Sequence, residues 1–233
     1  MKPEDYTAIF DKAHDYNKAL YETDYPLRDY KQVSGYYDTL RVTDNDMIGY
    51  LKIDRIGVEL PIYHGTSDSV LSRGVGHLQG SSLPVGGENT HSVMSAHRGL
   101  PSAKLFTDLD KIREGDIFLL RVLDEVLTYE VDKITIVEPS QVSDLQIVEG
   151  EDLCTLVTCT PYGVNTHRLL VRGHRIENIE ESRTIRVTAD ALQIEPLLVA
   201  PFAALPLLLV LLIILLLPKR NRPSHGGDEH ETL

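Results

Sequence analysis

DLCTLVTC at residues 152–159 and RLLVRGHRI at residues 168–176 decide the fold of this 233-residue chain. Both runs are short and rich in branched apolar residues, as β-strands are. Between them, Thr160-Pro161-Tyr162-Gly163 is a turn sequence, because Pro and Gly favour the backbone angles of tight turns. We therefore predict a strand, a loop and a returning strand.

Similar apolar runs precede this pair and are separated by Gly, Pro, Asn and Asp. They are MIGYLKI (47–53), VELPIYH (58–64), THSVMSA (90–96), IFLLRVL (117–123) and VLTYEVDKITIV (126–137). Short strands at this spacing predict an all-β barrel or sandwich with short helical inserts. LFTDLDKI at residues 105–112 is a candidate for a helical turn.

The amino-terminal part has a different pattern. Apolar or aromatic residues recur every three or four positions over residues 4–22, which predicts an amphipathic helix. Residues 23–46 are polar, are broken by Pro26 and Gly35, and carry several tyrosines. We interpret them as a surface segment with some helix near residues 29–40.

Composition excludes several classes of protein. The chain has 23 Lys+Arg against 35 Asp+Glu, a net charge of -12, which argues against a nucleic-acid partner because phosphate binding needs a basic face. Two cysteines cannot build a disulfide-rich scaffold or an all-cysteine zinc site. Residues 1–195 hold no His-x-x-x-His or Cys-x-x-Cys pair and no phosphate-binding glycine loop, so we expect no metal and no cofactor.

The apolar stretch from residue 196 to residue 218 contains no charge and is long enough for a helix that crosses a bilayer. The alternative is a buried core helix, but little sequence follows that could pack around it. Lys219, Arg220 and Arg222 come directly after the stretch, so the positive-inside rule predicts a cytoplasmic tail at residues 219–233 and residues 1–195 outside. Residues 178–195 would then be a juxtamembrane linker.

Because the amino terminus lacks the apolar core of a signal peptide, either this helix is the only targeting element or a leader precedes Met1.

Cys154 and Cys159 lie five positions apart on one predicted strand, so their side chains should point to opposite faces of the sheet. Cys154, among apolar neighbours, is predicted to be a buried small hydrophobe. Cys159 ends its strand beside a turn, where a thiol can face a cleft, and is either a nucleophile or structural. The spacing from Cys159 to Arg168 fits a return that brings the guanidinium beside the thiol, where it could stabilise an oxyanion or simply form an exposed ion pair.

His97 is the stronger candidate among the histidines for acid–base chemistry. It closes a predicted strand, and Arg98-Gly99-Leu100-Pro101 after it begins a loop. Functional groups often project from such positions. Taken singly, any of these histidines is more often structural than catalytic.

Taken together, these segments resemble the sortase family. Residues 155–159 read TLVTC and match the sortase motif TLxTC, Arg168 falls where sortases carry their active-site arginine, and residues 95–99 resemble the sortase histidine motif. The flanking stretches at residues 74–112, 155–175 and 49–66 are similar to class C, the pilin-polymerising sortases. The similarity covers about residues 46–177.

This resemblance implies a closed sortase β-barrel at residues 46–177 and a membrane-anchored cysteine transpeptidase without a cofactor. It assigns Cys159 as the nucleophile, His97 as the general acid–base group and Arg168 as the oxyanion stabiliser. The implied substrates are pilins or surface proteins with an LPxTG-like signal, and the acceptor is an amine, from a pilin lysine or a cell-wall precursor. The expected location is a Gram-positive cell membrane, with a single span and the catalytic domain outside. Alternatives are a housekeeping cell-wall sortase, a hydrolytic cysteine protease and a non-enzymatic surface domain.

Residues 1–45 are expected to hold the amino-terminal helix and a lid. Class C sortases usually carry a lid with an Asp-Pro-aromatic sequence, whose Asp pairs with the arginine and whose aromatic ring covers the cysteine. Here the order differs, as Thr23-Asp24-Tyr25-Pro26-Leu27. The resemblance makes Asp24 and Tyr25 the candidate lid residues, and the hypothesis is that residues 22–30 cover Cys159.

Overall fold

The computed structural model describes residues 6–41, 46–100 and 103–178. The strands are β1 (Met47–Ile53), β2 (Val58–His64), β3 (Val75–His77), β4 (Thr90–Ser95), β5 (Ile117–Val122), β6 (Glu125–Val137), β7 (Asp152–Thr160) and β8 (His167–Ile176). They form a closed barrel in the order β1-β2-β3-β4-β7-β8-β6-β5, and β5 pairs with β1 to close it. The prediction of an all-β fold with short helices is confirmed, and the barrel, not the sandwich, is the architecture.

Most strand pairs are antiparallel, as expected for strands joined by short turns. Two pairs are parallel: β2 with β3, and β4 with β7. The chain between β4 and β7 contains β5 and β6, which pair with each other on the far side of the barrel. This long crossover places β4, β7 and β8 side by side.

The barrel interior is filled by the inward residues of each strand. Cys154 and Leu156 of β7, Leu169 and Val171 of β8 and Met94 of β4 are buried in one continuous core. The alternate residues of the same strands point outward, because side chains alternate across a strand. Val93, Val157 and Leu170 form a second, smaller apolar cluster on this outer face.

The amino-terminal helix α1 spans Thr7–Tyr21 and packs on the barrel through Ala13, Tyr16 and Leu20. Asn17 fixes this packing, since its side-chain nitrogen donates to the Leu83 carbonyl at 3.0 Å and its oxygen accepts from the Leu83 N–H at 2.7 Å. The helix predicted over residues 4–22 is therefore present and is part of the fold, not an appendage.

Residues 23–41 differ in part from the expected surface segment. They contain two 3₁₀ turns, at Tyr30–Gln32 and Tyr36–Asp38. Tyr36 is buried, accepts a hydrogen bond from the Gly65 N–H at 3.0 Å and has its hydroxyl 2.8 Å from Nδ1 of His77. The segment is anchored by this phenol because burying an aromatic ring with a satisfied hydroxyl is favourable.

The other helical elements of the described residues are short, and one of them, the 3₁₀ turn at Leu109–Lys111, lies inside the predicted helical turn. The rest are the helix α2 at Asp68–Leu71 and the 3₁₀ turns at Asp54–Ile56 and Ser143–Leu145. No helix within residues 6–41, 46–100 and 103–178 has both the length and the apolar character needed to cross a bilayer. The predicted membrane span at 196–218 and the tail at 219–233 lie outside the described residues.

Candidate active site

Cys159 and Arg168 face each other across the β7–β8 pair. The antiparallel register places the Cα of Cys159 opposite that of Arg168, after Val157 opposite Leu170. Side chains of directly opposed residues lie on the same face, with Cβ atoms about 4.5–5.5 Å apart. The guanidinium therefore stands beside the thiol, on the outer face of the barrel.

His97 reaches the same level from the other neighbour of β7. The parallel register pairs Ser95 with Val157, and the Ala96 N–H donates to the Val157 carbonyl at 3.2 Å. The Thr158 hydroxyl donates to the Ala96 carbonyl at 2.9 Å, which continues the alignment by one residue. His97 lies two residues past the end of β4, and the next position in this alignment places it at the level of Cys159. Three neighbouring strands thus bring the imidazole, the thiol and the guanidinium to one end of one face.

The two thiols lie in different environments, as the odd spacing predicts. Cys154 is fully buried in the barrel core, and Cys159 is half-buried at the end of its strand. Desolvation, followed by the nearby Asp152 carboxylate, raises the pKa of Cys154 well above its usual value. A thiol of that kind stays protonated and is a poor nucleophile. Only Cys159 combines exposure with neighbouring polar groups.

Arg168 is oriented by the loop that follows Cys159. Its Nη1 donates to the carbonyls of Asn165, at 3.3 Å, and His167, at 3.0 Å. Among the described residues, no carboxylate forms an ion pair with it. The guanidinium therefore keeps N–H groups that can bind a carbonyl or an oxyanion, the geometry in which such stabilisation is strongest.

A groove of about 340 Å³ runs along the outer face from Arg168. Its floor is apolar and includes Val93, Val157 and Leu170, and one wall is the segment at 137–145. A 3₁₀ turn, Ser143–Leu145, shapes this wall, and Asp144 binds Lys133 at 2.9 Å. An elongated apolar groove that ends at polar groups suits a peptide with apolar side chains followed by a reactive carbonyl.

The other buried histidines have structural environments. His91 shares the outer face but uses both ring nitrogens, with Nδ1 2.7 Å from the Gln146 carbonyl and Nε2 2.7 Å from the Thr155 hydroxyl. Burial is the main cause that lowers the pKa of His91, of His64 and, to about 4, of His77. These three rings are committed to internal hydrogen bonds and are not available to Cys159, whereas the alignment of β4 with β7 brings His97 to its level.

The predicted lid segment lies on the outer face of the barrel, but its candidate residues Asp24 and Tyr25 lie beside His91 and residues 145–147. Asp24 and Tyr25 line a second pocket of about 250 Å³ together with His91 and residues 145–147, near the opposite end of β4 from His97. Tyr25 is 62% exposed and stacks on Arg28 with 4.9 Å between the guanidinium carbon and the ring centroid. No ion pair joins Asp24 to Arg168 among the described residues.

Leu27 is the residue of this segment that enters the groove. It packs against the outer apolar cluster and lines the same groove as Arg168. Gly80 makes this approach possible, because a Cβ there would lie 2.4 Å from the Pro26 carbonyl oxygen. Sequence reasoning missed Leu27, since nothing local marks one leucine as the contact between two distant segments.

Within the described residues, no three His, Cys, Asp or Glu side chains come together as a metal site would require. The arrangement instead brings a thiol, an imidazole and a guanidinium to one end of the outer face, and the guanidinium borders a groove. This is the set of groups that acyl transfer through a thioester uses.

Comparison with known proteins agrees with this geometry. The sortase domain model matches residues 51–176, more than half of the chain. Sortase C1 of Streptococcus agalactiae is 49% identical, with a TM-score of 0.69, and the match covers 77% of this chain and 93% of that structure. Sortase C of Streptococcus pneumoniae is 48% identical, with a TM-score of 0.64 and coverage of 74% and 90%.

Two curated relatives are more distant. Sortase D of Bacillus subtilis (strain 168) is 32% identical over 131 residues, 55% of this chain and 63% of the relative. Sortase A of Streptococcus agalactiae serotype III (strain NEM316) is 32% identical over 130 residues, 54% of this chain and 52% of the relative. The chain thus spans between half and two thirds of the length of these relatives.

The fold and the site define a β-barrel protein with a cysteine, a histidine and an arginine at one end of its outer face, where the arginine also lines an external groove. With the domain match, this chain belongs to the sortase family. Its similar solved structures at 45–49% identity include several sortase C1 enzymes.

Proposed function

We propose that this chain is a cysteine transpeptidase in which Cys159, His97 and Arg168 act on one peptide carbonyl. The observation that carries the proposal is the register that sets Cys159 opposite Arg168, together with the β4–β7 pairing, which His97 follows two residues past the end of β4. Membership of the sortase family supports the same assignment.

In the first half-reaction, the Cys159 thiol gives its proton to His97 and the sulfur attacks the Thr carbonyl carbon of an LPxTG-like signal. Arg168 hydrogen-bonds the oxyanion, and the Thr–Gly C–N bond breaks as His97 gives a proton to the departing Gly amine. The acyl group remains on Cys159 as a thioester. In the second half-reaction an acceptor amine attacks this thioester, His97 takes the proton, and the thiol is released as an amide bond forms.

The proposed acceptor is a lysine amine on a pilin subunit, so that repeated cycles build a pilus. The support is the identity of 45–49% to sortase C structures, one of which, from Streptococcus pneumoniae, is described in connection with pilin substrate specificity. A cell-wall amine as acceptor is the alternative and would make the protein a housekeeping anchoring enzyme.

The proposed location is a Gram-positive cell membrane, with the barrel outside. The support is the uncharged stretch at residues 196–218, followed by Lys219, Arg220 and Arg222. Protease treatment of intact protoplasts tests it, since an external barrel is degraded there while the tail at 219–233 is protected. Protection of the barrel would contradict the orientation.

The segment around Leu27 is proposed to act as a lid. Leu27 occupies apolar groove surface that a substrate side chain would also use, so the segment and the substrate compete. Asp24 and Tyr25 remain candidate lid residues, but their place beside His91 favours a supporting role.

The decisive experiment incubates the full-length protein in detergent with an LPxTG peptide and a lysine-bearing peptide. Mass spectrometry should find an acyl adduct on Cys159 and an amide product, and Cys159→Ala should give neither. His97→Ala should lower the rate by about 10²-fold or more. Free acid as the only product would make the protein a hydrolase, and the absence of any adduct would contradict the enzyme proposal.

A further inference from the structure

The loop between Cys159 and Arg168 is a compact turn. The N–H groups of Val164 and Asn165 both donate to the Pro161 carbonyl, at 3.1 and 3.0 Å. The Asn165 carbonyl in turn accepts from Arg168. This loop is therefore the chain segment that connects Cys159 to Arg168, and its Asn165 carbonyl also orients the Arg168 guanidinium.

Tyr162 extends from this loop to the segment that follows His97. A Cβ on Gly99 would lie 2.8 Å from the Tyr162 ring at Cε2 and 3.2 Å from its hydroxyl oxygen, so the ring edge is in contact with that backbone. Gly99 has a φ of +76°, in the left-handed region that favours glycine. The guanidinium carbon of Arg98 lies 5.6 Å from the ring centroid, within the range of a cation–π contact.

The partners of Tyr162 are themselves fixed. The Arg98 side chain is 7% exposed and forms an ion pair with Asp110, the middle residue of the 3₁₀ turn at Leu109–Lys111. The Gly99 N–H donates to the Thr107 hydroxyl at 3.1 Å. The two residues that Tyr162 contacts, Arg98 and Gly99, are thus held by an ion pair and a hydrogen bond. Tyr162 itself is 59% exposed.

His97 depends on such support. Its imidazole has no hydrogen-bond partner among the described residues, so its place is determined by the backbone on each side. On one side, Ala96 is bonded to β7. On the other side, Arg98 and Gly99 carry the Tyr162 ring, which connects the His97 segment to the loop of Cys159.

We propose that Tyr162 is a positioning residue that holds the His97 segment at a fixed place relative to Cys159 and Arg168. The inference rests on the proposed function and extends it to a residue that touches none of the reacting atoms. Displacements near 1 Å in a catalytic arrangement can lower rates about 10²-fold, so a ring that aligns two loops affects the chemical step.

The test compares Tyr162→Ala, Tyr162→Phe and Val164→Ala in the full-length protein. Val164 is the matched control, since it lies in the same loop and is 64% exposed. Acyl transfer from an LPxTG peptide to a lysine-bearing peptide gives kcat and KM for both substrates. The rate of Cys159 alkylation by iodoacetamide across pH 5–9 reports the coupling of the thiol to His97 directly.

Tyr162→Ala should lower kcat about tenfold or more, leave KM within about twofold and shift the alkylation profile. Tyr162→Phe, which keeps the ring, and Val164→Ala should resemble the unmodified protein, and all melting temperatures should agree within a few degrees. An unchanged kcat and alkylation profile in Tyr162→Ala would overturn the proposal. So would a rise confined to KM, which would make Tyr162 a substrate contact, or equal losses in Tyr162→Phe.

If the unmodified protein forms no acyl adduct, the proposed function fails, and the alkylation profiles still decide the positioning of His97. If the unmodified protein is active and Tyr162→Ala behaves identically, the function stands and only the positioning role is lost.

Discussion

The contrast between Cys154 and Cys159 shows how one strand places the same functional group in two chemical settings. Cys154 points into the core, where burial raises its pKa well above the usual value. Cys159 points outward, half-buried, opposite Arg168. The odd spacing alone separates them, because successive side chains of a strand point to opposite faces.

This contrast predicts a thiol titration. In the native protein, a disulfide reagent such as 5,5′-dithiobis(2-nitrobenzoate) should modify about one thiol quickly, and a second should react only after denaturation. Cys159→Ala should remove the fast phase and Cys154→Ala should retain it together with most of the transferase activity. Loss of the fast phase in Cys154→Ala would show that the assignment of the two faces is wrong.

A second prediction concerns Arg168. Arg168→Lys should keep the positive charge but lose most of the transfer rate, by about 10²-fold or more, because an ammonium cannot match the planar fork of the guanidinium. The kinetics of acyl-adduct formation measure this loss, and Arg172→Lys is the control. Arg172 lies on the same face but pairs with Asp132, at 2.6 Å between Nη2 and Oδ2. If Arg168→Lys preserved the transfer rate, the positive charge of Arg168 would suffice and its planar hydrogen-bonding fork would not be needed.

At the scale of single residues, the sequence predicted the placement of Cys154, Cys159 and Arg168, because that placement follows from the alternation of side chains along a strand. Alternation predicted the opposite faces of Cys154 and Cys159, and the turn at residues 160–163 predicted the return that brings Arg168 back. The approach of His97 could not be derived in this way, since it depends on a parallel pairing between strands more than fifty residues apart in sequence.

At the scale of elements, strands with clear apolar runs were predicted well and the shortest one was missed. β1 and β2 have the bounds of their apolar runs. β3 is only three residues, Val75–His77, and is too short to show any period. It exists because β2 and β4 provide partners on either side, which is a tertiary effect.

The local sequence likewise could not predict which side chain of the proposed lid segment, residues 22–30, enters the groove. Family resemblance directed attention to Asp24 and Tyr25, whereas the packing inserts Leu27 into the groove. Which side chain enters depends on the shape of a surface built from β4, β7 and β8, and on the absence of a side chain at Gly80.

The placement of Leu27 predicts how fast a bulky maleimide reaches Cys159. Leu27→Ala should accelerate the modification several-fold, because the lost contacts of this partly buried leucine are worth about 1 kcal/mol and each 1.4 kcal/mol is a factor of ten. Tyr25→Ala should have little effect, since Tyr25 is largely exposed. If Tyr25→Ala alone accelerates the reaction, the aromatic residue and not Leu27 is the lid. Deleting residues 1–40 is a poorer test, because α1 belongs to the core.

At the scale of the whole molecule, the amino-terminal segment and the barrel share a buried polar network centred on His77. Nε2 of His77 lies 2.8 Å from the Ser82 carbonyl and 3.2 Å from the Ser81 hydroxyl, and Nδ1 lies 2.8 Å from the Tyr36 hydroxyl. A carbonyl only accepts hydrogen bonds, so the ring is neutral with its proton on Nε2 and with Nδ1 accepting from Tyr36. Burial lowers its pKa to about 4, with a smaller contribution from nearby His64.

This lowered pKa predicts that stability falls in mild acid. Between about pH 6.5 and pH 4, the unfolded chain binds a proton at His77 and the folded chain does not, so the stability present above pH 6.5 is lost as the pH falls. From pH 7 to pH 5, His77 should contribute a loss of about 2 kcal/mol in the free energy of unfolding. The lowered pKa values of His64 and His91 act in the same direction.

Urea unfolding at pH 7 and pH 5 measures the effect. His77→Asn should show a smaller loss between the two pH values, whatever its absolute stability, and His14→Gln should match the unmodified protein because His14 is exposed on α1. An unchanged pH dependence in His77→Asn would place the acid-sensitive group elsewhere.

The last strand, β8, pairs with both β6 and β7 and carries Arg168. A nascent polypeptide that has emerged only as far as residue 160 already contains Cys159 and His97, but it has two unpaired sheet edges, on β6 and β7, and it lacks Arg168. On the proposed mechanism, a ribosome-bound or truncated polypeptide therefore carries the nucleophilic sulfur without its oxyanion-binding group, and the site is complete only after the final strand docks.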